Sequence, residues 1–155
     1  MNPSHQLVIF TLDEQRYALD PSVVERVVRM VEVTPLPKTS EFILGVINLQ
    51  GQIIPVLNLR KWLCLPEREV NLSDQLIIVG PSSRRMALRV DTVIGVIESP
   101  EQEIITAEKI LPYMEYVKGM IKLEEGMVII LHNLDKDKLL SSEEEKIRED
   151  KDILR

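Results

Sequence analysis

Apolar residues along the chain fall into short runs rather than long helical stripes. The runs are Leu7 to Leu12, Val27 to Val33, Val46 to Leu49, Ile53 to Leu59, Gln75 to Val79, Met86 to Val90, Val93 to Ile97 and Met127 to Leu131. They are rich in Val and Ile and are bounded by Gly, Pro, Asn or Asp, which predicts strands. Their shortness and close spacing predict barrels or a sandwich. Pro21 to Met30 carries two signals. Val23, Val24, Val27 and Val28 fit a helical stripe, but β-branched residues are stiff at χ1 and lower helix propensity. A short helical turn followed by a strand is expected. Thr34-Pro35-Leu36-Pro37 is expected to be a loop, because two prolines cannot sit within a paired strand. Ser40-Glu41 is expected to open one turn of helix. Leu59 to Leu65 is expected to form a short helix stopped by Pro66.

The last fifteen residues differ. Ser141 to Arg155 holds six acids and four bases, and Leu140, Ile147 and Leu154 recur every seven positions. Ser142 with Glu145 makes a capping box. Two readings stand here: a helix with a thin apolar stripe, or a solvated tail that frays.

The chain also repeats itself. Tyr17-Ala18-Leu19 matches Met86-Ala87-Leu88 at an offset of 69, where Arg16 meets Arg85, Val24 meets Val93 and Val27 meets Val96. Phe42 to Leu49 matches Tyr116 to Leu123 at an offset of 74, with Gly45 on Gly119. Beyond that, Gly51, Asn58 and Leu59 align with Gly126, Asn133 and Leu134 at an offset of 75, which implies one extra residue in the second hairpin turn. Gly51 and Gly126 each sit between two apolar runs, where a tight turn needs positive φ. Each copy has room for five short strands, the size of a small barrel. Two such barrels would share a hydrophobic seam, and a seam is a natural place for a groove.

Composition narrows the class. The chain has 155 residues, 45% apolar and only 4% aromatic, so the core is built from Val, Ile and Leu. Its formal charge is −6, which disfavours nucleic acid and anionic membrane surfaces as partners. No apolar run approaches the ~18 residues of a membrane span. A single cysteine, Cys64, excludes an intrachain disulfide and fits a reducing, cytoplasmic compartment.

Sites of catalysis are not expected. His5 lies in the terminus, where fraying is expected, and His132 at a strand end, where a structural role is expected. No Cys-x-x-Cys, Walker or dinucleotide motif is present, so no metal or cofactor is expected. Ser82-Ser83 follows Gly80-Pro81 and is expected to be a turn. Cys64 beside Trp62 is expected to be a buried or half-buried helix residue. Glu124-Glu125 is expected to be solvated in a hairpin tip, and Arg84, Arg85 and Arg89 a solvated basic face.

The stretch Gly45-Val46-Ile47-Asn48-Leu49-Gln50-Gly51-Gln52-Ile53-Ile54-Pro55-Val56-Leu57-Asn58-Leu59-Arg60 resembles the signature of the CheW-like family. Tyr17-Ala18-Leu19-Asp20, the proline loop before Phe42, Val90-Asp91 with Val93, and Tyr116-Val117-Lys118-Gly119 followed by Gly126 to Leu131 also resemble it. The resemblance implies an all-β fold of two SH3-like five-stranded β-barrels facing each other, to which the sequence pattern adds short helices and a C-terminal helical tail. Its span would be residues 7–140, in approximate halves 14–72 and 73–140, with strand 7–12 assignable to either and 141–155 as the charged helix or tail. It implies a non-enzymatic adaptor in bacterial chemotaxis, a two-component system. Such a scaffold couples the cytoplasmic tip of a chemoreceptor, a methyl-accepting chemotaxis protein, to the regulatory domain of the histidine kinase CheA. It would act in the cytoplasm at membrane-associated receptor arrays, without membrane insertion. A nucleotide-binding double barrel that signals by changing shape is the alternative, although no phosphate cradle is evident.

Val24, Arg26, Val27, Gly45, Gln50, Gly51, Val93 and Val96 are the expected receptor groove. Ile54 and Val56 are the expected kinase surface, on an outer strand face. The chain departs from the family pattern at two of these positions. Gln50 stands where the family usually has Arg, and Arg26 where it usually has an acid, so partner choice is expected to differ.

Overall fold

A computed structural model describes residues 4–39, 41–81, 84–100, 103–110 and 116–132. Its strands are β1 (Ser4–Leu12), β2 (Gln15–Leu19), β3 (Val24–Arg29), β4 (Ile43–Leu49), β5 (Gln52–Leu57), β6 (Gln75–Val79), β7 (Met86–Val90), β8 (Thr92–Pro100), β9 (Ile105–Thr106), β10 (Val117–Leu123) and β11 (Gly126–Leu131). Two four-residue helices join them, α1 (Leu59–Trp62) and α2 (Ala107–Ile110). The fold is all-β, as the short β-branched runs predict. The Pro21–Val23 segment is the predicted helical turn, capped by Asp20, and it runs directly into β3. The charged segment 141–155 lies outside the described residues.

The strands form two sheets. One has the order β8-β1-β2-β11-β10-β9 and the other β3-β6-β7-β5-β4. Neither sheet is made from one copy of the repeat. The second contains β3, β4 and β5 of the first copy but β6 and β7 of the second. The first contains β1 and β2 together with β8 to β11. Each copy therefore lends its opening hairpin to the other copy's sheet. The expectation that one copy makes one barrel is corrected here. An exchanged and an unexchanged arrangement bury the same residues in the same local pairings, so the apolar pattern fits both.

The repeat itself is visible in the backbone. β4 pairs with β5 as β10 pairs with β11, with the bulge before Gly45 mirrored before Gly119. The Asn58 N–H donates to the Phe42 carbonyl at 2.7 Å, and the His132 N–H to the Tyr116 carbonyl at 2.9 Å. Those pairs share the offset of 74 throughout. Leu49 faces Gln52 and Leu123 faces Gly126, so both hairpins have two-residue turns. Gly126 thus corresponds to Gln52, Asn58 to His132, and there is no extra turn residue. The turns differ in where they place the positive φ. Gln50 and Gly51 adopt +52° and +85°, whereas in the second hairpin Gly126 carries it, at +132°.

Three apolar clusters follow from the pleat. Ile47, Ile54, Val56, Leu76, Ile78 and Ala87 fill the second sheet's interior with Met30. Their repeat mates Ile121, Val128, Ile130, Leu7, Ile9 and Ala18 fill the first sheet's interior. The alternate side chains form the seam between the sheets, with Phe10, Leu12, Tyr17 and Leu19 from one and Leu57, Ile77, Val79, Met86, Leu88 and Val90 from the other. Trp62 of α1 joins the seam and meets Phe42 and Tyr116 edge-on at 4.9 and 5.0 Å. These two partners are repeat mates, so Trp62 stands between equivalent positions.

Local expectations differ in four places. The helix at Leu59 lasts only to Trp62, because Cys64 turns into a left-handed conformation (φ +59°) before Pro66 is reached. Cys64 is accordingly exposed and outside the helix. Glu41 and Phe42 form a turn rather than a helix, and Ser40 lies outside the described residues. His5 is in β1, with its backbone opposite Ser99, rather than in a frayed end.

Candidate functional site

β3 and β8 are repeat mates and lie at the edges of different sheets. Each contains a bulge at the equivalent place, Glu25 in β3 and Ile94 in β8. Val24 and Val93 both pack against the seam cluster. Three residues onward, Val27 and Val96 are 37% and 60% exposed. The structure thus brings Val24 and Val93 to one cluster and leaves an outward valine on each edge strand.

Arg26 and Gln50 also meet, with Arg26 Nη2 3.5 Å from Gln50 Oε1. Gln50 and Gly51 form the exposed tip of the β4–β5 hairpin, where the Gly51 N–H donates to Asn48 Oδ1 at 2.9 Å. The bulge leaves Glu25 to pair with Arg85 at 2.6 Å, and Arg85 also donates to Gln52. Its repeat mate Arg16 does the equivalent work, reaching Glu125 of the other hairpin at 2.8 Å. Glu124 and Glu125 are exposed, as expected, but Glu125 is engaged.

Gly45 does not belong to an open groove. It is buried in β4 with φ +148°, and an added Cβ would collide with the Thr34 carbonyl. Ile54 and Val56 are corrected too. They are 1% and 0% exposed and sit in the interior of their sheet. Strand parity sends their neighbours outward, and Ile53 is 62% exposed with Pro55 half-buried beside it.

A polar cluster that sequence reasoning missed closes one side of the seam. Arg60 is 2% exposed at the start of α1. Its Nη2 donates to both carboxylate oxygens of Asp91 at 2.8 and 2.9 Å, and its Nη1 donates to Asp13 at 2.7 Å. Arg68 joins Asp91 to the buried Asp74 at 2.7 and 2.6 Å. Arg89 lies 3.5 Å from Asp74 and donates to the Arg68 carbonyl at 2.7 Å. Arg89 is therefore a buried member of this cluster, not part of a solvated face. Burial pushes the Asp91 carboxyl up, but the Arg60 bonds, the Asp13 N–H and the Arg60 and Arg68 charges outweigh it, holding it below the usual carboxylate range. Burial, with the Asp13 charge, pushes the Tyr17 hydroxyl up against the opposing Arg60 charge. The available signal was Arg89 itself. A cation in the middle of Met86-Ala87-Leu88-Arg89-Val90 needs a carboxylate beside it.

Among the described residues, no group of three or more His, Cys, Asp or Glu is placed to hold a metal ion. No described helix is long and apolar enough to cross a membrane. Two sheets packed around an apolar seam, with exposed valines on two edge strands, define a two-sheet β protein with apolar edge surface.

The comparisons with known proteins place it further. Residues 6–144 match the CheW-like domain, and the chain belongs to that family. It is 33% identical to the chemotaxis protein CheW of Thermotoga maritima over 131 residues, 84% of this chain and 85% of the relative. It is 31% identical to CheW of Klebsiella aerogenes over 141 residues, covering 90% and 83%. The crystal structure of the scaffolding protein TtCheW from Thermoanaerobacter tengcongensis superposes with a TM-score of 0.73 at 35% identity, covering 85% of this chain and 90% of that one. The role that goes with the family is that of a chemotaxis adaptor.

Proposed function

We propose that this chain couples the cytoplasmic tip of a chemoreceptor to the regulatory domain of a CheA-type histidine kinase, in the cytoplasm and without turnover. The observation that carries the receptor half is the pair of edge strands. Val24 and Val93 root them in one apolar cluster, and Val27 and Val96 stand out from them. A receptor tip is a helical hairpin, and an amphipathic hairpin binds by laying an apolar ridge on such a surface. Arg26 and Gln50, which meet at the β4–β5 hairpin tip, supply polar contacts that select among receptors. The kinase half uses the outward face of β5 around Ile53, in place of the buried Ile54 and Val56. Each contact needs only micromolar affinity, about −8 kcal/mol, because an array multiplies weak contacts.

Titration calorimetry with a receptor-tip hairpin and with the kinase regulatory domain tests both halves. Val27→Asp and Val96→Asp are expected to weaken receptor binding at least tenfold while sparing the kinase contact. Ile53→Asp is expected to do the reverse. Gln50→Arg is expected to change which receptors bind best. If wild-type protein binds neither partner, the proposal fails while the fold stands.

A further inference from the structure

We infer that Arg60 is a positioning residue of the adaptor: it fixes β8 against the opposite sheet, and so sets where Val93 and Val96 stand relative to Val24 and Val27. This rests on the reading of those valines as the receptor surface. Arg60 follows β5 of the second sheet; of its acidic partners, Asp13 lies in the first sheet, and Asp91 is the single residue joining β7 of the second sheet to β8 of the first. Asp91 is the residue immediately before β8, and its own N–H donates to the Thr11 carbonyl of β1 at 3.0 Å. Asp13 lies in the β1–β2 turn, and its N–H donates to Asp91 Oδ2 at 2.8 Å. Two residues into β8 a second tie appears. The Val93 N–H donates at 2.6 Å to Gln75 Oε1, and Gln75 pairs in register with Arg29 of β3. The start of β8 is thus held by two polar groups of the other sheet, one of which borders β3.

The division of labour follows from the physics. The aliphatic seam opposes separation of the sheets, but apolar attraction is non-directional and tolerates sliding. The planar Arg60 guanidinium holds two carboxylates at fixed angles, Asp91 through Nη2 and Asp13 through Nη1, so it supplies the register that the seam lacks. Stability is not the obvious gain from this cluster. Arg60 Nε is buried with no hydrogen-bond partner, and buried ion pairs often do no better than well-packed apolar side chains.

The test measures geometry and binding in the full chain. Spin labels at positions 29 and 98, exposed on β3 and β8, are introduced in a Cys64→Ser background, and the distance between them is read by pulsed dipolar spectroscopy. Arg60→Met leaves Asp91 paired with Arg68, so no carboxylate there is stranded. A thermal melt checks that it folds, and Asp91→Asn serves if it does not. The expected result is a broadened or shifted distance distribution and receptor-hairpin affinity lower by about tenfold, with kinase-domain affinity unchanged. Arg60→Lys, a point charge without the fork, should fall between. An unchanged distribution, an unchanged receptor affinity, or a parallel fall in both affinities overturns the inference. Wild-type protein that ignores the hairpin would instead remove the receptor reading, and the distance measurement would still decide whether Arg60 sets the geometry.

Discussion

Ile53 and Ile54 are adjacent and chemically identical, yet one is 62% exposed and the other 1%. Ile54→Ala should cost about 2 to 5 kcal/mol in urea unfolding, since it empties part of a packed interior. Ile53→Asp should cost little, because water already reaches that side chain. Sequence alone shows the alternation but not its phase when both faces are apolar, which is why Ile54 and Val56 were expected outside. Gly45→Ala should be costly as well, by about 2 kcal/mol or more, since it meets both positive φ and the Thr34 backbone. Gly51→Ala meets only positive φ in open space and should cost about 1 kcal/mol. Asp91 sets a pH dependence. Its folded pKa lies below the unfolded value near 3.9, so its contribution is complete above that value and is lost as pH falls through the folded one. Acid titration followed by circular dichroism should show stability eroding below about pH 4, and less steeply in Arg60→Met.

The hairpins carry the lesson at the next scale. Glycines are scarce here, so Gly51 and Gly126 invite alignment with each other, and that alignment is off by one. The true equivalence lies in the backbone pairing, where Leu49 and Gln52 match Leu123 and Gly126. A two-residue turn can place positive φ on its own residues or on the one that follows, and composition does not say which. Arg16 and Arg85, by contrast, are legible as mates and prove to do the same thing, each tethering a hairpin to a neighbouring element. Their contributions should differ. Glu125 is 65% exposed, so Arg16→Met should change stability by about 0 to 1 kcal/mol. Arg85 engages two partners with less exposure, and Arg85→Met should cost more and loosen the Gln50–Gly51 tip, seen as faster amide exchange at Gly51.

At the level of the molecule, strand content, the repeat and the family signature were all legible, because each is written in local patterns. The exchange of opening hairpins was not, since local patterns are blind to which sheet a hairpin joins. Nor was the Arg60 cluster, whose partners Asp13 and Asp91 lie 47 and 31 residues away in sequence. The exchange predicts how the chain unfolds. Each sheet needs strands from both copies, so neither can survive alone. Calorimetry should show one transition with matching van't Hoff and calorimetric enthalpies, coincident with loss of Trp62 fluorescence. Two resolved transitions would contradict the topology.

Reciprocal lending of hairpins also limits what descent can do with this chain. A gene broken at its midpoint yields two fragments that each lack two strands of a sheet and carry a spare hairpin, so neither is a module that can be shuffled elsewhere. The indivisible unit of inheritance is the couple, and a newly acquired partner must be accommodated by editing its surface rather than by trading one lobe for another.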